Sequence, residues 1–182
     1  MIIIILAVSN GFIGTYLYDS LNQNNSIYTL DYSRGLIEDN FSSLDLTKEK
    51  DVEDYVQKLQ KWDALIFLVG LAHKKGKGQD LDEFRCINKQ TLINLVSKLD
   101  NSNKLPDKII FSSTISVYGE KINQAKYLED SLKNPSSPYA VTKLEAEEYL
   151  LDSYRLQSWI LRFAPVYSSD FQLKHWHESK LK

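Results

Sequence analysis

Tyr139 and Lys143, in the segment running from Ser136 through Pro138 to Lys143, follow a hydroxyl-rich run from Phe111 to Gly119 that contains Ser112, Ser113, Thr114 and Ser116. Residues four apart on a helix share a face, which would set the Lys143 ammonium beside the Tyr139 phenol. A free tyrosine titrates near pH ~10, and a neighbouring cation favours the phenolate and lowers that value. Tyr139 is then a proton acceptor, with the Thr114 hydroxyl holding the reacting oxygen while the proton moves. In a chain with 11 tyrosines and frequent lysines, about one Tyr-x-x-x-Lys spacing arises by chance. The argument therefore rests on the elements around it.

Those elements read as an α/β domain. Short apolar runs, 2–8, 26–31, 41–44, 64–69, 108–113 and 158–163, alternate with amphipathic stretches at 12–21, 48–61, 81–99 and 138–154. That pattern predicts a doubly wound, Rossmann-like parallel sheet of about six strands with helices on both faces. A site in such a fold lies at the carboxyl ends of the strands. The expected domain covers 1–167; residues 168–182 lack periodicity and read as an irregular tail. His175 and His177 flank Trp176 in that tail, at a spacing that could chelate a metal, but no third ligand accompanies them, so no metal site is assigned.

Composition narrows the partners. With 43% hydrophobic residues, 25% charged residues and a net charge of -2, the chain suits one globular domain and has no basic stripe for nucleic acid. The apolar run from Met1 to Val8 is far shorter than the ~18 residues of a membrane helix and reads as a buried strand. The single Cys86 excludes an internal disulfide, favours a reducing cytoplasm, and reads as a packed thiol.

The segment Ala7, Val8, Ser9, Asn10, Gly11, Phe12, Ile13, Gly14 follows the first strand and opens the first helix, the setting of a pyrophosphate loop. It resembles the loop of the extended short-chain dehydrogenase/reductase family, in its NAD-dependent epimerase/dehydratase group acting on nucleotide sugars. That loop is Gly-x-x-Gly-x-x-Gly; Gly11 and Gly14 match the second and third glycines, and Val8 stands at the first. A β-branched residue resists the positive φ of that turn and adds bulk beside a diphosphate. Strain of about 1 to 3 kcal/mol would weaken dinucleotide binding ten- to a hundredfold unless the turn is reshaped.

The resemblance covers Met1 to about Tyr167 and carries expectations for individual residues. Gly11, Phe12, Ile13 and Gly14 would meet the diphosphate, and Asp31 the adenosine ribose. Its carboxylate would repel a 2′-phosphate and favour NAD over NADP, although Ser33 and Arg34 follow it, and Arg34 fits either a 2′-phosphate or solvent. Asp45 and Leu46 resemble the pair that meets the adenine, and Leu68, Val69 and Gly70 the cofactor-facing loop after the fourth strand. Asn88 matches a helix position near the cofactor but equally fits an asparagine that bonds backbone. Phe163 marks the strand exit where the nicotinamide end is contacted, and His73 reads as a loop histidine beside Lys74 and Lys75.

By the same resemblance Tyr139 would take a sugar hydroxyl proton, Lys143 would hold the nicotinamide ribose and tune Tyr139, and Thr114 would orient the sugar oxygen. The implied activity is that of a UDP-hexose 4-epimerase or related oxidoreductase, with a nucleotide-sugar substrate and a homodimer among its expected assemblies. Members of the family are longer, so a C-terminal substrate domain is expected to be absent here and the chain to be truncated. The alternative is a remnant dinucleotide-binding domain that has lost sugar turnover.

Overall fold

Strand β1 (Ile3–Ala7) is apolar on both sides because it lies in the middle of a sheet covered on both faces. In the computed structural model, which describes residues 2–8, 10–32, 40–72, 80–119 and 126–167, five further strands join it: β2 (Ser26–Asp31), β3 (Phe41–Ser43), β4 (Ala64–Phe67), β5 (Lys108–Thr114) and β6 (Ser158–Phe163). All pairings are parallel, in the order β3-β2-β1-β4-β5-β6. The expected doubly wound sheet is what forms. Its order reverses between β1 and β4, and a crevice opens at that switch point.

Alternation along the strands divides the core. Ile5, Ala7, Leu65, Phe67, Ile109 and Phe111 face helices α2 (Glu49–Lys58), α4 (Thr91–Asn101) and α5 (Pro138–Ser153). Ile4, Leu6, Ile27 and Ile66 point the other way, against Leu17, Tyr18 and Leu21 of helix α1 (Phe12–Leu21). No helix among the described residues is long and apolar enough to cross a membrane.

The stretch expected as one helix over 81–99 is interrupted. Helix α3 (Leu81–Arg85) passes through a π-helical turn (Cys86–Gln90) before α4 begins. A π turn accommodates an extra residue. Here it lets Phe84 and Asn88 both face inward while Leu92, Leu95, Val96 and Leu99 keep their stripe against the sheet. Cys86, on the face opposite Phe84 and Asn88, is exposed, which corrects the expectation of a packed thiol. Helix α2 ends at Lys58, three residues short of the expected end, where Leu59 turns extended.

After β5 the chain makes a 3-10 turn (Ile115–Tyr118) whose first N–H bond is supplied by Thr114: its Oγ1 accepts from the Ser116 amide at 3.2 Å. Gly119 closes the turn at φ 71, and a Cβ placed there would lie 2.1 Å from the Asn134 carbonyl oxygen. Both the dihedral and the contact exclude a side chain. Gly119→Ala is expected to destabilise the chain by about 2 to 4 kcal/mol in urea denaturation. A loss below about 0.5 kcal/mol, the size of an ordinary surface change, would show that the turn relaxes freely.

Candidate active site

The ends of four strands and the start of two helices enclose a cleft of about 780 Å³. One wall is the loop from β1 to α1, with Val8 and Gly11 to Gly14; the opposite wall is Ser112 to Ser116 with Tyr139 and Lys143. Leu68 and Gly70 come from the end of β4, and Phe163 to Val166 from the end of β6. The structure thus brings together Thr114, Tyr139, Lys143, the glycine loop and Phe163, which the sequence placed up to 155 positions apart.

Helix α5 holds the tyrosine and lysine. It starts at a well-defined cap, where the Ser137 hydroxyl accepts from the Ala140 amide at 3.2 Å and Pro138 occupies the first turn. Tyr139 faces the cleft beside Thr114. Burial pushes its phenol above the ordinary tyrosine range, and the neighbouring Thr114 hydroxyl partly offsets this.

Lys143 corrects the expectation built on the four-residue spacing. It is 1% exposed, and its ammonium donates to the carbonyls of Val69 at 2.9 Å and Ser112 at 2.8 Å, 4.7 Å from the centre of the Phe111 ring. The charge is spent on two backbone dipoles and a ring face, so in the ligand-free cleft it does not draw the phenol down. Burial instead lowers the lysine itself, to about 7, with Glu147 pulling the other way.

Asn88 acts on the site through backbone. Its Oδ1 accepts from the Leu71 amide at 2.6 Å, and its Nδ2 donates to the Leu71 carbonyl at 3.2 Å and to the Thr142 hydroxyl at 2.9 Å. The side chain therefore ties the loop after β4 to the residue beside Lys143. A Cβ on Gly70 would lie 3.1 Å from the Lys143 Nζ, so that loop can pass the ammonium this closely only without a side chain.

Val8 takes the strained option that its type disfavours. Its φ is 66, and its amide donates to the Leu30 carbonyl at 2.7 Å. The backbone already has the shape a glycine would give, so the strain weighs on folding, which differs from the weakened dinucleotide binding expected from the sequence. What Val8 adds to the cleft is bulk: its Cγ1 stands 3.3 Å from where a Gly11 Cβ would be. Helix α1 opens from its N-cap Gly11, and its first residues line the cleft.

Asp31 ends β2, and its Oδ2 accepts from the Asn10 amide at 3.1 Å, fixing the carboxylate to the glycine loop. Asp45 and Leu46 are not brought into the cleft lining. Asp45 accepts from the amide and the hydroxyl of Thr47, at 3.1 and 2.6 Å, which holds its carboxyl below the usual range. The Leu46 carbonyl accepts from Asn94 Nδ2 at 2.9 Å. Ser33, Arg34, His73, His175 and His177 lie outside the described residues. Among the described residues no group of three His, Cys, Asp or Glu side chains could hold a metal ion.

Two residues absent from the sequence reading complete the floor. Glu147 is fully buried and receives Arg162 Nη2 at 2.6 Å and Nε at 3.0 Å. Their only sequence signal is Glu147 standing one helical step beyond Lys143.

Strand order and cleft position together define a Rossmann-like domain, and the chain belongs to the NAD-dependent epimerase/dehydratase family, whose model matches residues 9–180. It is 46% identical over 61 residues to an uncharacterized UDP-glucose epimerase of Bacillus subtilis (strain 168), YtcB, a stretch that covers 32% of this chain and 19% of that protein. The UDP-Glc/GlcNAc 4-epimerase of Campylobacter jejuni superposes with a TM-score of 0.79 at 27% identity, over 95% of this chain and 57% of its own. The UDP-glucuronic acid 4-epimerase of Bacillus cereus, solved in complex with NAD, gives 0.72 at 27% identity, over 91% and 57%. The chain thus spans little more than half the length of these relatives.

The depressed Lys143 sets a pH dependence of stability. Between pH about 7 and the ordinary lysine value of 10.5, the unfolded chain keeps a proton that the folded chain has released. Stability therefore rises with pH across that window, by up to about 1.4 kcal/mol per pH unit from this group. Tyr55, Tyr139, Tyr149 and Tyr154 are all raised by burial, so above pH ~10 the unfolded chain ionises first and stability falls. Denaturant titrations from pH 6 to 11 should show the rise in the parent and lose it in Lys143→Met. Equal slopes in the two proteins would contradict the burial of a charged Lys143.

Proposed function

We propose that this chain is the dinucleotide-binding part of an NAD-dependent nucleotide-sugar epimerase of the UDP-hexose 4-epimerase type. The observation that supports it most is the convergence of Thr114, Tyr139 and Lys143 on one cleft with the start of α1, beside which the Asp31 carboxylate of the neighbouring strand end holds the Asn10 amide. The residues fit a dinucleotide. Gly11 to Gly14 and the α1 N-terminus suit the diphosphate, Asp31 suits ribose hydroxyls and disfavours a 2′-phosphate, and Leu68, Val69, Gly70 and Phe163 border the inner end. NAD supplies a hydride acceptor that can later return the hydride.

The protein's own groups do the proton chemistry. Thr114 anchors a substrate hydroxyl beside the Tyr139 phenol, with which it lines the same wall of the cleft. Tyr139 takes that hydroxyl's proton and later gives it back, and the role requires its raised pKa to fall on assembly of the full site. Lys143 lies on the same helix face, one step beyond Tyr139, and its ammonium has a third proton, beyond the two on the Val69 and Ser112 carbonyls, with which to meet a ribose hydroxyl. The residues following Thr114 argue against dehydration of the sugar. Dehydratases that resemble this family carry Asp-Glu at the positions of Ile115 and Ser116; isoleucine transfers no proton, and the Ser116 hydroxyl accepts from Thr114 at 3.2 Å.

Calorimetry tests the cofactor reading. NAD should bind, and more tightly than NADP; tighter binding of NADP would overturn the role of Asp31. Val8→Ala and Val8→Gly should both raise affinity, by about tenfold for ~1.4 kcal/mol of relieved crowding. Of the two, Val8→Gly should be the more stable, by about 1 kcal/mol, because only glycine relieves the positive φ. An affinity gain confined to Val8→Gly would instead place the strain in binding.

Residues 1–182 alone should turn over UDP-hexoses poorly, since catalysis requires the sugar carbon to be held in place. In a protein that carries the rest of the relatives' length, Tyr139→Phe should lower C4 inversion at least a hundredfold with NAD affinity within about twofold of the parent. A product lighter by one water would refute the epimerase assignment.

A further inference from the structure

A buried acid lies directly under the cleft. Glu147 stands one helical step beyond Lys143 on α5, and adjacent residues of β5 hold the two: the Ser112 carbonyl accepts from Lys143, and the Ser113 hydroxyl donates to Glu147. Arg162, the register partner of Ser113 on β6, forks onto the Glu147 carboxylate. Its remaining nitrogen donates to the Tyr118 hydroxyl at 2.6 Å and the Glu129 carbonyl at 2.8 Å. One guanidinium thus fixes the acid and also the 3-10 turn whose other end carries Ile115 and Ser116 into the cleft.

A buried carboxylate costs several kcal/mol to desolvate unless fully paired, and Glu147 is paired on all sides. A single Arg162–Glu147 pair would be neutral. With Lys143 the buried set is two cations and one anion. The groups around Lys143 are few: Tyr139 one helical step before it and Glu147 one step beyond it on α5, the uncharged Ser112 and Phe111 on β5, Val69 and Gly70 after β4, and Asn88 on the π turn; Arg162 from β6 is engaged by Glu147. Among the described residues Glu147 is the carboxylate that favours the Lys143 ammonium.

We propose that Glu147 is a positioning residue for Lys143, keeping its ammonium charged at the cleft, and that Arg162 holds Glu147 in place while bracing the turn after β5. The proposal rests on the reading that Lys143 serves the bound dinucleotide as a cation. A glutamine at 147 would keep the size and most hydrogen bonds but lose the charge; Lys143 would lose the carboxylate one helical step away and would release its proton more readily.

The test is an NMR titration of the 182-residue chain carrying lysine labelled with ¹³C at Cε, with the Lys143 signal assigned by its loss in Lys143→Arg. In Glu147→Gln the Lys143 midpoint should fall by about one pH unit or more, and Glu147→Asp should recover most of it. An unchanged midpoint in Glu147→Gln overturns the proposal. Should that variant fail to fold, the parent still decides: the Glu147 carboxyl carbon should show an inflection at the Lys143 midpoint, and a flat trace there overturns it equally. Neither readout needs cofactor. NAD affinity measured over the same range should fall at a correspondingly lower pH in Glu147→Gln. A chain that binds no NAD at any pH would refute the dinucleotide reading and leave the titration result standing.

Discussion

The constraint on which the site depends is the burial of one ammonium. Lys143 reaches from α5 across the end of the sheet to carbonyls on two strands' exits, Val69 and Ser112. An ammonium has three protons and little tolerance for apolar surroundings, so both carbonyls must be where they are. That demand propagates. The loop after β4 must pass without a side chain at Gly70, Asn88 must clamp Leu71, and the π turn must deliver Asn88 to that position. Glu147 and Arg162 then carry the counter-charge out to β6 and to the turn after β5.

The glycine loop shows a second constraint met at a cost. The end of β1 requires a left-handed residue to turn the chain into α1, and the β-ladder to β2 continues through it by the Val8 amide. The turn wins over the preference of valine for extended backbone. A valine there costs stability of about 1 to 2 kcal/mol, and the fold is large enough to absorb it.

Much of this was legible in the sequence. Strong strand runs and the distances between them gave the six parallel strands, and the identity of Gly11, Gly14, Thr114 and Tyr139 gave one cleft, because strand order alone brings their ends together. What was hidden involved side-chain direction and burial. The spacing of Tyr139 and Lys143 put both on one helix face but could not say that the ammonium would turn to backbone carbonyls. Asp45 satisfied a local turn with Thr47 instead of reaching the cleft, a competition that short polar side chains often win. Cys86 came out exposed because it lies two residues from both Phe84 and Asn88, on the face opposite to theirs, and Arg162 pairs with Glu147 across two elements, which no local pattern announces.

The account's central claim is that the carboxyl-end cleft is a dinucleotide site read by this loop, this acid and this lysine. Mapping amide shifts of the labelled chain in ¹H–¹⁵N spectra as NAD is added tests it most directly. The account predicts changes that concentrate at Gly11 to Gly14, Asp31, Gly70 and Ser112 to Thr114, with α2 and the outer face of α4 unmoved. Shifts that cluster elsewhere on the chain, with these amides unmoved at saturating NAD, would contradict it.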